Sequence, residues 1–268
     1  MKLCSEKALR QHADKPMTTL LDLWHSLCRE KIGTSIEVMI TGRKEHPRFA
    51  HYQDQVHTAV PEIIEGKLVL LLLMDSMGSM REVDPVMASH ELGHWVLKLQ
   101  GFQALEYRSH KNSSTEILLN SMVHHVPLFR LQRSVGHDPQ SEIDSRCLHD
   151  LKLCSREKEA KTRQSWAETA LIFGDDVLNC SAGNRTALMN VVNNRFPNIA
   201  RIVRTIMQRA NSRDLLLPDQ NLAFAREVVR CLELPGDWYL ADDIGALISM
   251  HQGLQDAKSG SENPGPSK

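Results

Sequence analysis

Residues 67–74 read KLVLLLLM and residues 83–100 read VDPVMASHELGHWVLKLQ. The run Leu68 to Met74 is unbroken apolar sequence, preceded by Gly66 and followed by Asp75. It is far shorter than the ~20 residues a membrane helix needs, and it reads as a strand buried on both faces. In the second stretch the period changes. Val86, Met87, His90, His94, Leu97 and Lys98 fall near one helical stripe, Asp84 before Pro85 gives a helix start, and Gly101 a stop. A buried strand is thus followed, after a polar turn, by a helix carrying two histidines.

His90-Glu91-Leu92-Gly93-His94 places two imidazoles one helical turn apart on the same face, where both can reach a single ion. Glu91 lies one step round the helix, beside such an ion without being aimed at it. From there its carboxylate can take a proton from a water activated by the metal, whose pKa falls toward ~7. This is the pattern of zinc hydrolases. Leu92 and Gly93 give the helix a small apolar middle. Gly93 costs about 1 kcal/mol of helix propensity against Ala, so close packing there is expected. The expected cofactor is one Zn2+ per chain.

A catalytic zinc site needs a third protein ligand and leaves the fourth position to water. Glu116 opens the next predicted helix, which runs from Thr115 to about Val126 with Pro127 as its end. It is the first choice as ligand. Asn120 shares its helix face and can steady a ligand histidine from behind. His124 and His125 lie near the end of the same helix; either can replace Glu116, or contact substrate. Tyr107 and His110, in the loop between the helices, join the two histidines as candidate donors to the oxyanion that builds on a scissile carbonyl.

The strand KLVLLLLM, the helix ASHELGHWVL and the segment STEILLNSMVHHVP together resemble the small gluzincin metallopeptidases of the ImmA/IrrE type, over residues 17–127. In that family HExxH is followed downstream by a helix of the form E-x-x-x-N. His90, Glu91, His94, Glu116 and Asn120 each fall on a motif position. The resemblance implies a compact α+β, zincin-like domain in which a sheet edge holds an extended substrate peptide above the zinc. The chain departs from the family in having Ser121-Met122-Val123-His124-His125 where small apolar residues usually follow the Asn.

Upstream, Met17 to Lys31 has helical spacing of Leu20, Leu21, Leu23, Trp24, Leu27 and Cys28, and Ser35 to Ile40 is β-rich. His51 to Val60 alternates weakly and is polar, as an exposed edge strand should be. It is the expected cradle for a substrate added as a further strand. Downstream, Gln132 to Asp144 reads as a polar linker. Helices are expected near 160–178, 186–194, 198–211, 222–232 and 239–255, with no strand among them, and the polar tail 258–268 as disordered. The expected organisation is therefore a zincin-like metallopeptidase domain over 17–131, an all-helical C-terminal domain over 145–257, and the tail.

Composition narrows the partners. Net charge is −1 and aromatic residues make up 5% of the 268 residues, so neither a basic field nor a stacking platform for nucleic acid is expected. Arg195, Arg201, Arg204 and Arg209 read as a solvated helix face. The N-terminal sequence has no apolar h-region, and six scattered cysteines read as reduced thiols, so a cytoplasmic protein without a membrane segment is expected. The function expected is zinc-dependent hydrolysis of peptide bonds with Glu91 as general base. A zinc-binding regulatory protein on the same fold is the alternative.

Overall fold

The computed structural model describes residues 3–47, 58–74, 83–107, 113–154, 163–234 and 236–261. The fold is α+β, with many helices and a small mixed sheet, in two compact units.

The first unit comprises Met1–Gln100, Val135–His137 and Asp242–Lys268. It holds α1 (Glu6–His12), α2 (Lys15–Ile32), β1 (Glu37–Gly42), β2 (Thr58–Ile64), β3 (Lys67–Met74), α3 (Pro85–Leu99) and α10 (Asp243–Ser261). As its sequence requires, β3 is the central strand, parallel to β1 and antiparallel to β2. Every residue from Leu68 to Met74 is buried, both parities alike, so both faces of β3 are covered. The central run pairs Met39 with Leu71 on one side and Val60 with Leu71 on the other. The outer side of β1 is bridged by Cys4 at Ile40. Indole N–H groups secure the two edge strands: Trp24 donates to the Ile36 carbonyl at 2.8 Å and Trp95 to the Ala59 carbonyl at 3.0 Å. The second bond ties the histidine-bearing helix to β2. Thr58 to Val60 of the expected edge strand open β2, while residues 51–57 lie outside the described residues.

The second unit comprises Gly101–Ser134 and Asp138–Ala241. It contains β4 (Leu105–Tyr107), α4 (Ser113–Val135), α5 (Gln140–Cys154), α6 (Arg163–Asn179), α7 (Ala182–Arg195), α8 (Pro197–Asn211), α9 (Pro218–Cys231) and β5 (Trp238–Leu240). One apolar core runs through these helices, from Leu119, Met122 and Val123 to Leu171, Val203 and Phe224.

Several sequence expectations are corrected here. Pro127 lies inside α4 and does not end it. A proline removes the N–H that would bond the carbonyl four residues back, which is Val123. The Asn221 side-chain amide supplies that donor at 2.9 Å, so the helix runs on. The linker expected over 132–144 is mostly helix, because α4 reaches Val135 and α5 begins at Gln140. Gln132 and His137 within it are buried. The C-terminal half is not wholly helical: Trp238–Leu240 forms a two-stranded ladder with β4, Leu105 opposite Leu240. Finally, α10 continues to Ser261, into the stretch expected to be disordered. Among the described residues no helix is long and apolar enough to cross a membrane.

Candidate metal centre

In the first unit, α3 begins where the sequence indicates. Asp84 caps it, its carboxylate accepting from Val86 N–H at 2.9 Å, and Pro85 occupies the first turn. Ala88, Ser89, Leu92, Gly93 and Trp95–Leu97 are buried, whereas His90, Glu91 and His94 are half-buried. The helix thus packs its apolar stripe inward and leaves the three motif residues at the boundary of the core. The His90 and His94 rings are 4.9 Å apart and nearly perpendicular at 82°. Burial pushes the Glu91 carboxyl up to about 7.

The helix is held from its own unit. Ser89 Oγ donates to the Val86 carbonyl and lies 2.8 Å from His137 Nδ1, and His137 Nε2 lies 2.8 Å from the Asp14 carboxylate. This clasp next to His90 was not apparent in the sequence, where His137 stands in a polar run.

In the second unit, Glu116 and Asn120 act together on one backbone segment. Glu116 Oε2 accepts the Tyr107 N–H at 2.9 Å. Asn120 accepts the Leu105 N–H at 2.9 Å and donates to the Leu105 carbonyl at 2.8 Å. The E-x-x-x-N spacing thus grips β4 much as a neighbouring strand would. The Asn120 amide engages Leu105, where the sequence suggested a ligand histidine. The Tyr107 ring packs on Trp238 at 5.3 Å. His110 lies outside the described residues.

The paired histidines of α4 diverge, as consecutive helical positions must. His124 Nε2 donates to the Gln103 carbonyl at 3.2 Å. His125 is buried, stacks on Phe129 at 4.9 Å, and has Nδ1 2.7 Å from Asp175 Oδ2. Asp175 also takes Arg146 Nη2 at 2.9 Å and Asn179 Nδ2 at 2.8 Å. Burial works against its charge, but His125, Arg146 and Asn179 together hold the Asp175 carboxyl down to about 2. Its neighbour Asp176 goes the other way, raised by burial first and by the nearby Asp150 and Asp175 carboxylates, against the opposing pull of Arg146. Asp175 and Arg146 were missed in the sequence. The signal was two adjacent aspartates inside the apolar helix ALIFGDDVL.

The first unit therefore presents two imidazoles, His90 and His94, one turn apart at the boundary of its core. Imidazole donors suit zinc, copper, iron or nickel better than magnesium or calcium, so the pair fits the expected class of ion. No protein-family model, curated protein or solved structure matches this chain.

Proposed function

We propose that this chain is a metal-dependent hydrolase of peptide bonds on a zincin-like framework, with His90 and His94 as ligands and Glu91 as general base. The observation that carries the reading is the placing of Glu91. It lies between His90 and His94 on one capped helix, where all three side chains are half-buried. From there its carboxylate can take a proton from an attacking water.

A bound ion such as Zn2+ would supply Lewis acidity, polarising the scissile carbonyl and acidifying water. The rest falls to the chain. Glu91 takes a proton from the attacking water as its oxygen bonds to the carbonyl carbon, then passes that proton to the leaving amine nitrogen as the C–N bond breaks. The peptide is held extended along the outer edge of β2, against which no strand pairs among the described residues. The Trp95–Ala59 bond fixes the distance between that edge and the catalytic helix.

The test has two readings. The full chain, purified and loaded with Zn2+, should bind one ion per molecule and cleave unstructured protein substrates. Glu91→Gln should keep the ion and lose cleavage by about three orders of magnitude, in keeping with removal of a general base. Metal retained with no turnover in either protein would make the chain a metal-binding regulatory protein; an absence of metal binding would end both readings.

A further inference from the structure

Three polar residues of the first unit meet away from α3: Glu6 of α1, His25 of α2 and Ser35 in the connection from α2 to β1. Glu6 is buried and ringed by donors, with Arg10 Nε at 2.7 Å, Val38 N–H at 3.0 Å and His25 Nε2 at 2.7 Å. Burial works against its charge, yet the hydrogen bonds of His25, Val38 and Arg10 hold the carboxyl down to about 2. An ionised carboxylate only accepts, so His25 Nε2 carries the proton of that bond. In the neutral ring the lone pair then lies on Nδ1. Ser35 Oγ is 2.6 Å from that nitrogen.

A hydroxyl within hydrogen-bond reach of an imidazole, whose ring a third group holds from behind, is the arrangement that activates a serine. The ring is turned end for end against the commoner triad, in which Nε2 faces the serine. Either nitrogen serves as base once the other holds the proton. Gly33, at φ 84°, ends α2 and turns the chain so that Ser35 comes back beside His25. Access separates this set from a buried polar network. Glu6 and His25 expose only 10% and 15% of their side chains, whereas Ser35 is exposed. All three line an open groove of about 630 Å3, a volume that suits a small molecule. Lys7 and Arg10 line it too, so positive charge faces the space in which an oxyanion would form.

We infer that Ser35 is a nucleophile with His25 as its general base, and that the groove takes small carboxylic esters. Ser35 Oγ bonds to the ester carbonyl carbon as its proton passes to His25 Nδ1. The ester C–O bond breaks, and the departing oxygen takes that proton. Water then adds to the acyl-serine and leaves a proton on Nδ1; the acid departs as Ser35 Oγ recovers it. Neither step calls on His90, Glu91 or His94, so this activity is separate from the one proposed above.

The full chain is tested in excess chelator, so that a metal on α3 contributes nothing. It should hydrolyse p-nitrophenyl acetate. A fluorophosphonate ester should attach to it covalently, the Oγ–P bond forming as fluoride leaves, and peptide mapping by mass spectrometry should place the label on Ser35. Ser35→Ala should lose both hydrolysis and label. His25→Gln, shown to be folded by circular dichroism, should slow labelling by about 10²–10⁴-fold, the range a general base supplies. Label absent or on another residue, hydrolysis at full rate in Ser35→Ala, or an unchanged labelling rate in folded His25→Gln would overturn the inference. The mapping needs no substitution, so it decides the matter even where a variant fails to fold.

Discussion

The Asn221 side-chain amide donates to the Val123 carbonyl at 2.9 Å, across a separation of 98 residues. Val123 is the residue whose carbonyl Pro127 leaves without its helical N–H, and Asn221 donates to the Leu215 carbonyl too. Replacing Asn221 with leucine should therefore leave two buried carbonyls without this donor and destabilise the chain by about 1–3 kcal/mol. Pro127→Ala restores the helical N–H and should make the Asn221→Leu change milder. A double-mutant cycle of chemical unfolding measures the coupling; additive effects would show that the two residues act independently.

The same pair marks where sequence reading stops. Lys67–Met74 was legible to the residue because an unbroken apolar run bounded by Gly66 and Asp75 has few other fates. The start of α3 was legible because Asp84-Pro85 is a local signal. Pro127 was misread since its remedy, Asn221, is remote in sequence. The helix Gln140–Cys154 was missed because it buries only Ile143, Cys147 and Cys154 amid polar residues, too thin a stripe to stand out. The strands β4 and β5 have three residues each and depend on one another and on the Glu116–Asn120 grip. Of the candidate site, the placing of His90 and His94 on one helix face was legible from spacing alone. The partners of His124 and His125 were not, since Gln103 and Asp175 are remote in sequence.

Glu6 makes stability pH-dependent in a defined window. Its carboxylate accepts from Arg10 Nε at 2.7 Å and Val38 N–H at 3.0 Å, and His25 Nε2 lies 2.7 Å away. Burial raises its pKa, but the hydrogen bonds of His25, Val38 and Arg10 outweigh that and lower it from 4.5 to about 2. A depressed carboxyl stabilises the fold in its ionised form. The contribution is thus complete above pH ~4.5 and disappears as the pH falls toward ~2, to a total of about 3 kcal/mol. The difference in unfolding free energy between the native sequence and Glu6→Gln should shrink steadily across that window. A difference that stayed constant with pH would show that Glu6 titrates alike in both states.

Gly174 separates helix propensity from packing. Alanine should gain about 1 kcal/mol of propensity in mid-helix but must displace the Met122 sulfur, a flexible neighbour. The two effects should nearly cancel in thermal unfolding. Gly174→Val brings branched bulk against Met122 and Ile206 and should cost about 1–3 kcal/mol. A cost for Gly174→Val no larger than that for Gly174→Ala would show that the two helices can part freely at this point.

Glu116 and His125 make opposed claims to the third ligand position, and one conservative change separates them. Glu116→Gln keeps an oxygen that can still accept the Tyr107 N–H, so the grip on β4 survives while the charge is lost. If Glu116 binds the ion, an amide in its place should lower zinc affinity by orders of magnitude, since carboxylate is the form that serves as a ligand. If its task is the strand, affinity should change by less than about threefold, the small margin left to long-range electrostatics. If His125 is the ligand instead, His125→Ala should weaken Zn2+ by ~100-fold or more, beyond what loss of a supporting group alone produces. Glu116 belongs with Asn120 to one two-residue device, and Asn120 places both halves of its amide on Leu105. A carboxylate doing the same for Tyr107 is the expected companion. Chelator competition on the two variants, with circular dichroism to verify folding, decides the matter: zinc lost in Glu116→Gln and kept in His125→Ala would give the ligand position to Glu116.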